Sequence, residues 1–213
     1  MLPIPEENPT RRPPVVTPLL IAANAAVFLA WQNHVGLQHS VALAGLVPRE
    51  LNPISNPGLT HLFTSMFMHG SVWHLLGNMW FLWVFGDNVE DDIGRIRFMG
   101  LYLLCGVAAA AAHLALNPNS MVPIIGASGA ISGVLGASLV LQPAARVKAI
   151  FWFGVIRLPA WFYLLLWIGF QVFAMTQAGR PGYVGVAYGA HVGGFVTGFI
   201  LAFFKRGENP EAA

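Results

Sequence analysis

The chain has 213 residues, 56% of them hydrophobic and 9% charged, with a formal net charge of +2. A soluble globular domain carries about 25% charged residues, so water is not the main solvent here. The eleven Lys and Arg are too few and too scattered for a nucleic-acid surface, and a single cysteine, Cys105, inside an apolar run, excludes an internal disulfide.

Residues 1–14, MLPIPEENPTRRPP, have no signal-peptide layout and read as a short cytoplasmic tail. Lacking an Arg- and Ser-rich transit composition, they favour a prokaryotic plasma membrane over an organelle. Six apolar runs come next: Val15–Trp31, Gly70–Phe85, Phe98–Leu116, Gly126–Leu141, Pro159–Met175 and Ala187–Phe204, none containing Asp, Glu, Lys or Arg. A bilayer core of about 30 Å takes about 20 residues of helix, which predicts an all-α, six-helix membrane domain over 15–206. A cytoplasmic tail at 207–213 completes the chain. The segment 36–69, apolar but interrupted by Pro48, Pro53 and Pro57, reads as an outer loop lying partly in the membrane interface.

Basic residues set the orientation. Arg11 and Arg12, then Arg95 and Arg97, then Arg146, Lys148 and Arg157, and last Lys205 and Arg206 fall on alternate connections, nine in all, against Arg49 and Arg180 on the others. The positive-inside rule puts the nine in the cytoplasm, with both termini. The segment 117–125, uncharged and leading into a short fourth run, is expected to dip inward, so that the start of the fourth helix lies recessed below the outer surface.

An intramembrane histidine is a functional candidate by default. In this topology His74, Asn78, Ser128 and His191 all lie near the outer ends of the second, fourth and sixth helices. Ser128, in Gly126-Ala127-Ser128-Gly129, opens its helix where free amides and the positive end of the dipole suit a nucleophile and an oxyanion. A plain N-cap serine is the alternative. Two stripes of small residues, Ser128/Ser132/Gly136 and His191/Gly194/Gly198, would let the fourth and sixth helices approach and bring hydroxyl to imidazole. His74 and Asn78, at i and i+4, share one face and would either donate to an oxyanion or make a structural polar contact. Of nine acids only Glu50 is on the outer side, so a Ser-His dyad is the economical reading. A transporter or channel using His61, His69, His74 and His191 as metal ligands or a proton path stays open.

Gly-Ala-Ser-Gly at Gly126–Gly129, Ala-His-x-x-Gly at Ala190–Gly194 with Gly198, and His-x-x-x-Asn at His74–Asn78 together resemble the rhomboid intramembrane serine proteases. The resemblance implies Ser128 as nucleophile, His191 as general base, and His74 with Asn78 as oxyanion donors. Gly126, Gly129, Gly194 and Gly198 would support helix packing. It implies cleavage of single-span membrane proteins near the outer face, without metal or other cofactor. A non-catalytic rhomboid-like protein that binds membrane helices is the nearest alternative. Where many rhomboids carry Trp-Arg in the first outer loop this chain has Thr60-His61, and where some have a Tyr stacked on the catalytic histidine it has Ser132.

Overall fold

The computed structural model describes residues 2–4, 10–50, 56–151, 154–177 and 185–208; Pro53, Arg180 and the tail past residue 208 lie outside them. The described chain is predominantly helical, and its helices track the apolar runs. Helix α1 (Val16–Val35) has no side-chain cap of its own. Instead the amides of Val15, Val16 and Thr17 donate to the Glu90 carboxylate at 2.7, 2.9 and 2.8 Å, a negative charge set against the positive helix end. Burial works against that charge, but these amides outweigh it and hold the Glu90 carboxyl below its ordinary range.

Short helices α2 (Leu37–Ala44) and α3 (Asn56–Thr64) occupy the expected outer loop. That loop is tied to α1 by Gln32, whose side chain donates to Ser40 Oγ and His69 O and accepts from the His69 amide. Helix α4 (Val72–Ile93) starts at Ser71, whose hydroxyl accepts from the His74 amide at 3.1 Å. It runs past the expected end at Phe85 to carry Asp87, Glu90, Asp91 and Asp92. Gly94, at φ +84°, makes the break before α5 (Arg95–Leu116).

Helices α6 (Ser128–Leu141), α7 (Ala160–Gln177) and α8 (Tyr188–Glu208) complete the bundle. Every residue from Ala130 to Ser138 is buried, and α6 is enclosed by α8, α5 and α4. Its 14 residues span about 21 Å at about 1.5 Å per residue. Helix α7, in contrast, exposes Leu165, Leu166, Phe170 and Phe173, the pattern of a surface facing lipid rather than water.

Among the described residues three helices are long and apolar enough to cross a membrane, namely α1, α5 and α7. The expected second, fourth and sixth spans do not qualify on length and composition. Helix α6 is short, α4 ends in four acids, and α8 ends in Lys205, Arg206 and Glu208. These three also carry His74, Ser128 and His191.

One feature departs from an all-helical chain. Strands β1 (Leu2–Ile4), β2 (Arg146–Phe151) and β3 (Gly154–Pro159) form an antiparallel sheet in that order, with Arg146 opposite Pro159 and Leu2 opposite Ile150. Val147 and Ala149 are buried while Arg146 and Ile150 are exposed, the alternation a half-buried strand requires. Residues 2–4, expected as part of a plain tail, thus supply a strand.

Candidate active site

Ser128 is the first residue of α6, and the backbone before it is bent and pinned. Ile124 pairs with Leu46 across an isolated antiparallel bridge. The Gly126 amide donates to Ser65 O at 2.9 Å. Gly126 has φ +109°, and a Cβ there would lie 2.8 Å from the His74 ring and 3.4 Å from Asn78 Nδ2. A glycine is therefore required on conformational and steric grounds together. The first bond of the helix ladder runs from the Ile131 amide to Ala127 O, so the amides of Ser128, Gly129 and Ala130 precede the ladder.

Backbone contact between α6 and α8 sets the distance to His191. A Cβ on Gly194 would collide with the Gly129 carbonyl, one on Gly198 with the Gly133 carbonyl, and one on Gly136 with the Phe195 carbonyl. Gly129 is closed on its other side by Ala109 of α5. The packing stripe on α6 is therefore Gly129/Gly133/Gly136 and not the expected Ser128/Ser132/Gly136. Ser132 turns away and donates to the Ser128 carbonyl at 2.6 Å.

Where α6 begins, at one end of this interface, His191 Nε2 lies 2.8 Å from Ser128 Oγ. On the other side of the ring, Nδ1 lies 2.8 Å from Gln171 Oε1 on α7. Trp167 at 6.1 Å and Tyr188 at 6.2 Å, between ring centroids, flank the imidazole. The imidazole thus contacts Gln171 and two aromatic rings in addition to Ser128. Sequence reasoning missed all three. Gln171 had a usable signal, being the only carboxamide between Pro159 and Met175.

His74 and Asn78 face the same space from α4. The Gly70 amide donates to His74 Nδ1 at 3.4 Å, which leaves the ring proton on Nε2, the nitrogen next to Gly126. Asn78 is 8% exposed and its Nδ2 has no hydrogen-bond partner among the described residues. A buried donor left free is uncommon. Both groups line, with Ser128 and His191, a cavity of about 270 Å³ whose other walls include Met66 and Ala110. A groove of about 360 Å³ between α4 and α7, lined by Trp73, Phe81 and Phe170, runs to the same two residues. Of the remaining histidines, His69 stacks edge-on against His74 at 5.1 Å, and among the described residues no three His, Cys, Asp or Glu side chains are grouped to hold a metal ion.

The Rhomboid domain family model matches residues 56–208, the stretch that carries all four of these side chains. The chain is 30% identical over 182 residues to the rat presenilin-associated rhomboid-like protein, mitochondrial, covering 84% of this chain and 45% of that protein. It is 29% identical over 189 residues to rhomboid protease GluP of Bacillus subtilis (89% and 34%). To RHOMBOID-like protein 12, mitochondrial, of Arabidopsis thaliana it is 26% identical over 208 residues (89% and 58%). The chain thus spans about half, or less, of the length of these relatives.

Proposed function

The chain belongs to the rhomboid family, and we propose that it is an intramembrane serine endopeptidase acting through a Ser128–His191 dyad. The observation that carries this reading is the 2.8 Å contact between Ser128 Oγ and His191 Nε2, made at a helix start beside free amides. His191 removes the hydroxyl proton as Ser128 attacks a peptide carbonyl and passes it to the amine that leaves as the C–N bond breaks. Water, deprotonated by the same imidazole, then hydrolyses the acyl-enzyme, releasing the carboxyl fragment and returning the proton to Ser128. The oxyanion takes hydrogen bonds from the Ser128 amide, His74 Nε2 and Asn78 Nδ2.

Substrates are single-span membrane proteins cut near the outer face. The groove between α4 and α7 supports lateral entry, and the open cavity over Ser128 supports a supply of water at a depth that lipid would keep dry. A substrate helix must unwind to present its carbonyl, so small or helix-breaking residues are expected at the cut. Six spans with both termini cytoplasmic remain the proposed topology, with α6 crossing at the centre of the bundle against α4, α5 and α8. The domain limits 1–14, 15–206 and 207–213 are kept with it. The relatives divide between a bacterium and mitochondria, so residence in a prokaryotic plasma membrane is likewise a proposal, which imaging of a tagged chain in its own host tests.

The activity is tested by reconstituting the chain with a single-span substrate in liposomes. Wild type should release a fragment cut near the outer end of the substrate helix and Ser128→Ala should release none. Equal cleavage by both would contradict the assignment.

A further inference from the structure

Gln171 occupies a place that a two-residue dyad leaves unexplained. It sits on a helix whose other large side chains mostly face outward, yet it is only 6% exposed. Its Oε1 meets His191 Nδ1 at 2.8 Å while the opposite nitrogen of the same ring meets Ser128 Oγ at 2.8 Å. A neutral imidazole has one N–H and one lone pair, and an amide oxygen can only accept. The contact to Oε1 therefore requires the proton on Nδ1, which leaves the lone pair of Nε2 directed at the serine hydroxyl. The other tautomer would set Oε1 against a lone pair and turn an N–H toward Ser128, unable to take its proton.

Resting on the proteolytic reading of this site, we propose that Gln171 is a positioning residue, a neutral third member of the catalytic unit that fixes the tautomer and aim of His191 through Nδ1. Neither of the flanking rings can do this, since Trp167 and Tyr188 meet the imidazole as aromatic neighbours and do not distinguish its two nitrogens. An amide also suits the position better than the aspartate of a soluble triad. A carboxylate would add charge stabilisation to the imidazolium, but here it would lie in a helix surrounded by lipid, where an ion is costly.

The test uses the full chain in liposomes with a single-span substrate, comparing wild type, Gln171→Met and Gln171→Glu. Met fills the same volume without an acceptor, whereas Glu presents an accepting oxygen whether or not it is ionised. General-base catalysis contributes about 10²–10⁴-fold, so Gln171→Met should lower kcat at least about tenfold with KM within about twofold, and Gln171→Glu should recover most of the loss. Nitrogen-15 spectra of imidazole-labelled protein, which need no turnover, should give His191 as the Nδ1–H tautomer in wild type and a mixture in Gln171→Met. Equal loss of activity in both variants, wild-type kcat in Gln171→Met, or a single Nδ1–H tautomer in Gln171→Met overturns the role of Gln171. Failure of the proteolytic reading looks different, as a wild type that neither cleaves nor loses activity when Ser128 is replaced.

Discussion

The carbonyl oxygen of Gly133 stands where a side chain on Gly198 would begin. That backbone contact, repeated at Gly194 with the Gly129 carbonyl, holds α6 and α8 close enough for a hydroxyl on one to reach an imidazole on the other. Gly198→Ala should force the helices apart, costing about 1–3 kcal/mol as overpacking does. Proteolysis should fall further than melting temperature, because the 2.8 Å contact lies at the end of the same interface. Gly100→Ala, at a helix position with nothing within 4 Å of the added carbon, should be neutral or stabilising by about 0.5–1 kcal/mol. Thermal denaturation in detergent and cleavage assays check both.

Asn78 offers a buried amide nitrogen with no hydrogen-bond partner among the described residues. If it serves the oxyanion, Asn78→Ala should lower kcat by about 10²–10³, with a smaller effect on stability because Nδ2 gives up no hydrogen bond among the described residues. Steady-state cleavage set beside thermal unfolding separates this from a structural role, which would lower stability first.

Glu90 ties α4 to the start of α1 through three amides. Its carboxyl is held below its ordinary value of 4.5, so the stability it contributes is complete above that value and is lost as pH falls through its lowered folded value. Glu90→Gln should be less stable than wild type at pH 7 by about 1–3 kcal/mol. The gap should close as acid protonates Glu90, below pH 4.5. Unfolding temperatures of both proteins measured across acidic and neutral pH test the sign.

The segment between α1 and α4 should depend on Gln32. Its amide bonds Ser40 Oγ, His69 O and the His69 N–H, all of them buried, in a chain with Thr60-His61 where many rhomboids have Trp-Arg. Gln32→Leu removes the partner of the buried His69 amide and carbonyl, at about 1–3 kcal/mol, while Ser40 keeps its bond to the Leu37 carbonyl. Hydrogen exchange should rise first at His69 and its neighbours, ahead of α6.

How much of this could be read from the sequence depended on how local the signal is. His74, Ser128 and His191 are conspicuous because a polar side chain in an apolar run is rare, and their level at the helix ends comes from the topology. The direction a helix turns is not local. Small residues cover more than one face of α6, so the sequence stripe Ser128/Ser132/Gly136 was as plausible as Gly129/Gly133/Gly136, and only packing against Gly194 and Gly198 decides between them. Gln171 was hidden for the same reason, since its partnership with His191 depends on the rotation of α7 against α8. The sheet is hard to read from the sequence because Arg146 and Lys148 stand out as charges, and their alternation with Val147 and Ala149 covers too few residues to mark a strand.

The central claim is that Ser128 is a nucleophile made reactive by His191. Treating the purified chain with a fluorophosphonate and mapping the adduct by mass spectrometry tests it most directly. A Ser128 nucleophile should carry the label in wild type, with none at that position in Ser128→Ala and a labelling rate lower by about 10²-fold or more in His191→Ala. A folded wild type that takes up no label, or that labels as fast without His191, contradicts the claim.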